Sequence, residues 1–382
     1  MKKLLMVLTA VCLAAAAVPA AADGPVAGEM ALDLAGSSLC YPVVNGMEDE
    51  AAQAEINAQI RKDLRVDDYL MRMNALISDE QHTIAVRWYG EIAGGVFSAV
   101  LDAEGAIRTL RSTQAWTWSN VDLRDGHEIA FGELFTDETK AREGLEALLE
   151  EVSAELSPHL ENSSVTPLPE GFRLEKTGLT LLYDAEQLST LRDRAGAVKF
   201  GWNEIREFTD WSEDGIPARM GAAEMVNLTA ESAGRIREMT ASGMLPDIPV
   251  KIGDSVKEWT DRTYLLNDPE EYALGRMFEP EGAAFRNVYL LSDAVEQGWE
   301  RSKVQGIRMD RGCAWGLCVG ETEAAAWRQI LGEPDSTVPF DEQAAESFRT
   351  VPGTCDYYQF GEYRLELQAD ADGVLVSITL AE

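Results

Sequence analysis

The chain alternates between apolar residues at helical spacing and apolar residues at every second position. Apolar residues recur every four positions over 48–64, which predicts a helix with one buried face. A leucine-rich stripe predicts a second helix over 136–156. Between them, three alternating segments predict an antiparallel sheet with one covered face, at 83–89, 96–102 and 106–121.

The pattern repeats in the later part of the chain. A hairpin is predicted at 171–183, and a helix at 228–244. Thr322 is predicted to cap a further helix that ends at Gly332. Three closing strands are predicted at 356–360, 363–369 and 374–380.

Mixed helices and strands of this kind predict an α+β protein of two domains, each an antiparallel sheet packed with helices. The chain of 382 residues is long enough for two separate cores. We predict a first domain at 38–208 and a second at 248–382. Residues 209–247 would be a connecting segment with a helix.

The first 22 residues have the pattern of a secretory signal peptide. Lys2 and Lys3 precede an apolar stretch at 4–17, which is shorter than the roughly 20 residues of a membrane span. Small residues allow cleavage after Ala20 or Ala22. A lipoprotein anchored at Cys12 is the alternative, but the residues before it form a poor lipobox. We therefore expect a bacterial protein that is secreted or displayed at the cell surface, with no membrane span.

The charge of the chain restricts its partners. Lys and Arg total 33 against 66 Asp and Glu, a net charge of −33. Loss of Lys2 and Lys3 with the signal peptide leaves 31 basic residues against 66 acids, a net charge of −35. Such a surface repels nucleic acids and anionic membranes and attracts basic partners. We expect no nucleic-acid partner.

Four cysteines remain after the signal peptide. Cys313 and Cys318 are close enough in sequence to form a disulfide, since four intervening residues allow a tight loop. The pairing of Cys40 and Cys355 stays open. A zinc site is the alternative, but the histidines, His82, His127 and His159, all lie in the other half of the chain.

Known catalytic patterns are missing from the sequence. Gly253-Asp254-Ser255 resembles the nucleophile block of GDS-type esterases, but no histidine follows His159 to accept the serine proton. A helix cap explains Ser255 better. We predict no enzyme, no cofactor and no metal.

Two tryptophans mark a candidate binding surface. Trp116 and Trp118 fall on one face of a predicted strand, where they form either a platform for a sugar or protein partner or a part of the core.

The first half resembles an extracytoplasmic domain found in PdaC-type peptidoglycan deacetylases and in RsiV-type anti-sigma factors, which bind lysozyme. The resemblance covers 38–208 and rests on the order of short motifs, above all 41–46, Gly94-Gly95, 125–135 and 178–183. One segment, 187–195, departs from the family's aromatic, proline-containing pattern. The catalytic module of the deacetylases is absent.

The second half is similar to YjgB-like secreted domains, and more loosely to the layout of BamE-type lipoproteins and the β-lactamase inhibitor protein. The similarity rests on the motifs at 252–255, 320–322 and 331–334 and on the closing hairpin at 363–380. It implies a fold and carries no catalytic residues.

These resemblances imply a non-catalytic binding protein of the cell envelope, with peptidoglycan or a basic wall-active protein such as lysozyme as its ligand. We expect the contact surface at Trp116 and Trp118, with Asp122, Asp125 and Glu128 supplying negative charge. An envelope hydrolase of unknown type and a purely structural surface protein are the alternatives.

Overall fold

The computed structural model of the chain has the expected α+β architecture. It describes residues 24–77, 82–107, 110–111, 115–156, 160–163, 165, 167–184, 186–190, 196–256, 270–272, 275–280, 286–293 and 302–382. The predicted signal peptide at 1–22, with Cys12, lies outside these ranges. Within them, no helix is both long and apolar enough to cross a bilayer.

A six-stranded sheet opens the described chain. Its strands are β1 (Val26–Leu34), β2 (Ser37–Asn45), β3 (His82–Ala93), β4 (Val96–Ile107), β5 (Leu110–Arg111) and β6 (Ala115–Asp122). They follow the order β1-β2-β3-β4-β5, and β6 also pairs with β4. The pairing is antiparallel except between β2 and β3, which run parallel because two helices connect them.

Those two helices, α1 (Glu50–Asp63) and α2 (Val66–Leu76), cover one face of the sheet. The Asp49 side chain caps α1 by accepting hydrogen bonds from the first-turn backbone amides. Ile56 and Ile60 are buried in the same hydrophobic cluster as Phe97 and Leu101 of β4. The predicted first helix is thus confirmed, with its apolar stripe facing the sheet.

The boundaries of the third predicted strand were wrong. We expected the second strand to end at Asp102 and the third to run over 106–121. Instead β4 runs on to Ile107, and β6 begins at Ala115. Pairing with the twelve-residue β3, in which Ile84 lies opposite Gly105, overrides the local turn preference.

The rest of the first half is built around α3 (Glu138–Leu156), preceded by a 3₁₀ turn at Phe131–Leu134. The strands that follow are β7 (Leu160–Ser163), β8 (Gly171–Glu175), β9 (Gly178–Leu182), β10 (Leu188–Thr190) and β11 (Ala197–Gly201). A three-stranded sheet has the order β11-β9-β8, and β7 pairs with β10. The predicted hairpin at 171–183 is confirmed as β8 and β9.

Three helices occupy the predicted connecting segment: α4 (Ile216–Arg219), α5 (Ala222–Val226) and α6 (Ser232–Ser242). Side chains from α4 and α5 join the hydrophobic cluster of the first half. Side chains from α6 join the cluster of the second half. The segment is therefore divided between the two cores, and the domain boundaries remain a prediction.

An eight-stranded sheet dominates the second half. Its strands are β12 (Glu270–Tyr272), β13 (Gly275–Phe278), β14 (Val288–Ser292), β15 (Val304–Met309), β18 (Ser336–Phe340), β19 (Gly353–Phe360), β20 (Tyr363–Asp370) and β21 (Leu375–Ala381), in the order β12-β13-β14-β15-β21-β20-β19-β18. A small hairpin, β16 (Cys313–Ala314) and β17 (Leu317–Cys318), lies outside it. The helices are α7 (Ala324–Leu331) and α8 (Glu342–Ser347).

Thr136, the first residue of the predicted second helix, and Thr322, the predicted cap of a later helix, make other hydrogen bonds. Thr136 donates its hydroxyl to Phe208 O, while the next residue, Asp137, accepts from Lys140 N at the start of α3. The buried Thr322 hydroxyl accepts from Cys318 N and donates to Gly316 O. It thereby stabilises the β16–β17 hairpin, and the helix at Ala324–Leu331 has Glu323 at its N-cap, without a side-chain cap hydrogen bond.

Candidate functional site

Trp116 and Trp118 of β6 are both half-buried on the same face of the strand, as the alternation predicted. The ring of Trp118 packs against Gly171 of β8, where an added methyl group would lie 2.8 Å from Trp118 Cζ3. Trp116 Nε1 is buried and has no hydrogen-bond partner among the described residues. Trp118 thus helps to pack the six-stranded sheet, which contains β6, against the three-stranded sheet, which contains β8.

A buried polar chain joins the same two sheets beside these rings. Ser98 Oγ donates to Asn120 Oδ1 at 2.6 Å, and Asn120 Nδ2 donates to Phe172 O at 3.0 Å. Leu174 N in turn donates to Ser98 Oγ at 2.7 Å. Because all of these groups are satisfied, they specify how β8 sits against β4 and β6.

Asp122, at the end of β6, is fully buried. Arg124 Nη2 donates to Asp122 Oδ2 at 2.8 Å, and Arg219 Nη2 forms an ion pair with the same oxygen at 2.8 Å. Burial alone would raise the pKa of Asp122, but the two guanidiniums outweigh it and lower the pKa to about 2. Asp122 therefore holds α4 to the first sheet and does not present its charge at the surface.

Asp125 and Glu128 lie in the loop after β6 and are exposed. The ring of His127 stands between two carboxylates: Nδ1 is 2.6 Å from Asp125 Oδ1, and Nε2 is 3.0 Å from Glu133 Oε2. The hydrogen bond to Asp125 raises the pKa of His127. We call Asp125, Glu128 and Glu133 the acidic rim.

A group that overlaps the acidic rim at Asp125 is not suited to a cation. Ligand atoms of Asp122, Asp125 and His127 come within 4.8 Å of one another. However, the arginines that pair with Asp122 place positive charge at the same point, and this charge repels a metal ion. The five predicted contact residues thus differ in exposure: two are exposed acids, two are half-buried tryptophans and one is a buried acid.

Sequence reasoning missed a second group of charges, where the two halves meet. Lys199 Nζ of β11 lies 2.9 Å from Glu175 Oε2 and 3.0 Å from Asp247 Oδ2. Close by, Glu204 forms an ion pair with Arg311. These side chains adjoin a cleft of about 60 Å³. The sequence carries no signal for this group, because its members are far apart along the chain.

The same junction contains a carboxyl group with a shifted pKa. Burial, and then the charge of Asp247, raise the pKa of Glu91 to about 7. Its carboxylate accepts a hydrogen bond from Lys176 N at 2.6 Å. For Glu175 burial acts in the same direction, but Arg173 and Lys199 outweigh it and lower the pKa to about 2. Two neighbouring acids thus have opposite shifts, set by whether a cation faces them.

The predicted disulfide between Cys313 and Cys318 is present, with Cα atoms 4.1 Å apart, and Cys40 and Cys355 are free thiols. The hairpin that it closes connects the two halves. Cys313 and Cys318 are buried in the cluster of the first half that also contains side chains of α4 and α5. Ala314 and Leu317 are buried in the cluster of the second half.

At the tip of this hairpin, Trp315 lies between two cations. Lys176 Nζ is 4.7 Å from the ring centre and the Arg235 guanidinium is 5.4 Å from it. The ring therefore links β8–β9 of the first half to α6 through cation–π contacts.

No family model matches the chain, and comparison with curated proteins gives no match. Among solved structures, it is similar to a DUF3298 family member from Bacteroides fragilis, with 12% identity and a TM-score of 0.37 over 52% of this chain and 96% of the other. A DUF3298 family protein from Pseudomonas aeruginosa gives 10% identity and a TM-score of 0.36 over 49% and 95%. YjgB of Bacillus subtilis, a DUF4309 family protein, gives 12% identity and a TM-score of 0.26 over 40% and 97%.

YjgB belongs to the group that the motifs of the second half resemble. The names of these three structures include neither PdaC nor RsiV. At such low identities and TM-scores, the likeness carries no argument about function.

Proposed function

We propose that the chain is an exported, non-catalytic binding protein of the cell envelope, and that the first half binds a basic wall-active protein such as lysozyme. The observation that carries the proposal is the acidic rim, a group of exposed carboxylates in the loop that follows β6, the strand of the half-buried Trp116 and Trp118. A net charge of −33 adds a long-range field that attracts a basic partner.

Export is supported by two independent features. The sequence of the first 22 residues has the pattern of a signal peptide. The Cys313–Cys318 disulfide is typical of proteins that work in an oxidising compartment.

The test is a titration of residues 23–382 with lysozyme, at low salt and again at 0.5 M salt, beside cytochrome c as an unrelated basic protein. Charge alone gives weak association that salt removes, because screening shortens to a few ångströms near ~1 M salt. A specific interface keeps its apolar contacts. Binding of lysozyme but not of cytochrome c at high salt is the expected result.

A pair of matched variants locates the surface. Asp125→Asn with Glu128→Gln removes two charges from the acidic rim. Glu362→Gln with Asp372→Asn removes two exposed charges from the second half. The first pair is expected to weaken binding of lysozyme at least severalfold, and the second to leave it unchanged. Equal effects of the two pairs would reduce the interaction to overall charge.

Peptidoglycan is the competing ligand, and cosedimentation with purified sacculi measures it directly. Release of soluble fragments from the sacculi would contradict the non-catalytic assignment. Failure to bind either lysozyme or sacculi would favour a purely structural surface protein.

A further inference from the structure

The eight-stranded sheet has one face packed on its core and a second face that is partly open. Along β20, Leu365, Leu367 and Ala369 enter the hydrophobic cluster. The alternate residues, Arg364 and Glu366, therefore lie on the other face. This face carries polar side chains from several strands, and two depressions occur on it.

The first depression is a hollow of about 210 Å³. Its lining residues are Tyr272, Leu291, Ser292, Gln305, Gly306, Arg364, Glu366, Thr379, Ala381 and Glu382. The strand register explains why it exists. Arg364 lies opposite Ala381, Ala381 opposite Gly306, and Gly306 opposite Leu291. Two small residues, Gly306 and Ala381, thus lie in the middle of a row that has a larger residue at each end.

The second depression is a shallow groove of about 420 Å³ that shares Arg364 with the hollow as a lining residue. Its lining residues are Asp335, Ser336, Val338, Tyr357, Gln359 and Arg364. The Arg364 guanidinium lies 5.2 Å from the centre of the Tyr357 ring, and Nε donates to Glu366 Oε1 at 2.9 Å. Arg364 is thus held in place between an aromatic ring and a carboxylate.

Ser292 is among the residues that line the hollow, but it pairs with the core residue Val304, so its side chain shares the core face of the sheet. Only 3% of the residue is exposed, yet its hydroxyl has no hydrogen-bond partner among the described residues. A buried hydroxyl without a partner is unfavourable, because it has lost its hydrogen bonds to water.

The charges of the two depressions decide which ligand fits. Arg364 is neutralised by Glu366, while Glu382 and Asp335 add negative charge at the two ends. An anionic ligand is therefore disfavoured. Aromatic walls at Tyr272 and Tyr357, together with amide and carboxylate acceptors, suit a neutral ligand with many hydroxyl groups.

We propose that this open face binds a neutral glycan chain, with one sugar ring in the hollow and the next in the groove over Arg364. The site lies in the second half of the chain and does not depend on the basic-protein partner proposed for the first half.

The test uses residues 23–382 alone, titrated calorimetrically with chitotetraose and with maltotetraose as probes. Saturable binding of at least one tetrasaccharide is expected. Ala381→Leu fills the middle of the hollow and is expected to weaken binding at least about tenfold, by steric exclusion. Glu366→Gln removes the carboxylate that holds Arg364, and is expected to weaken the same ligand severalfold.

Tyr41→Ala is a control outside the site, because it removes a partly buried tyrosine of the first half whose ring centre lies 5.8 Å from the Arg61 guanidinium. This variant is expected to bind the glycan as the wild type does. Binding of neither tetrasaccharide overturns the proposal. So does wild-type affinity in both Ala381→Leu and Glu366→Gln, or equal weakening by Tyr41→Ala. Lysozyme binding is measured separately on the same variants, so that failure of one site is distinguishable from failure of the other.

Discussion

Arg219 Nη2 lies 2.8 Å from Asp122 Oδ2, and this contact ties α4 of the connecting segment to the end of β6. Arg219 has only 9% of its side chain exposed, and Asp122 has none. This ion pair is therefore buried, although the sequence suggested that Asp122 belongs to an exposed contact surface. Removing either partner is expected to lower the stability of the protein.

We expect Asp122→Asn to lower the free energy of unfolding by about 3 kcal/mol, since it leaves a buried guanidinium without its counter-charge. In the wild type, the lowered pKa of Asp122 contributes stability that is present above pH ~4 and lost as the pH falls towards 2. Urea denaturation at pH 7 and at pH 3 measures both effects. Asp125→Asn, at an exposed neighbour, serves as the control and is expected to leave stability at pH 7 unchanged.

Glu91 has the opposite effect on how stability depends on pH. Because its folded pKa is raised from 4.5 to about 7, the protonated form is favoured in the folded protein, and stability falls as the pH rises through this range. Glu91→Gln keeps an acceptor for Lys176 N and removes the charge. We expect the variant to exceed the wild type in stability at pH 8 by at most about 3 kcal/mol, with the difference vanishing near pH 4. A difference between variant and wild type that does not change with pH would contradict the assignment.

Two glycines give a matched pair for packing. Gly171→Ala brings a methyl group to 2.8 Å from Trp118 Cζ3, so we expect a loss of about 1–3 kcal/mol from overpacking. Gly234 lies exposed in α6 with no atom within 4 Å of an added methyl group. Gly234→Ala is expected to stabilise the protein by roughly 0.5–1 kcal/mol through helix propensity. Thermal unfolding of both variants tests the packing of Trp118, and a neutral Gly171→Ala would show that the ring is mobile.

The disulfide hairpin gives a further prediction. Closing so short a loop contributes about 2 kcal/mol in the chain-entropy description. We expect Cys313→Ala with Cys318→Ala to lower stability by about that amount or more, because both side chains are also buried in the cluster of the first half. Dithiothreitol should then lower the Tm of the wild type but not of the double variant. Cys40→Ser, at a free thiol, controls for other effects of the reductant.

Element type was predictable where the sequence carried a strong local period. The stripe over 48–64 became α1, and the closing strands became β19, β20 and β21. The ends of elements were less predictable. Pairing with β3 extended β4 through an apparent turn, and the hydroxyl of Thr322 bonded to the hairpin instead of capping a helix.

The candidate sites were predictable only in part. Alternation placed Trp116 and Trp118 on one face, and the short spacing of Cys313 and Cys318 indicated their disulfide. The burial of Asp122 was not predictable, because Arg219 lies almost a hundred positions later in the chain. The hollow around Ser292 was equally hidden, since it depends on Gly306 and Ala381 becoming neighbours across strands.

By itself, the sequence determined what depends on nearby residues: the α+β class, the periods of the main helices and strands, the excess of negative charge and the disulfide loop. Only the tertiary structure decided which charges are buried, which meet at the junction of the two halves, and which face of the second sheet stays open. Those properties arise from contacts between residues far apart in the chain, and the free energy of a charged group depends on its burial and on the charges that face it.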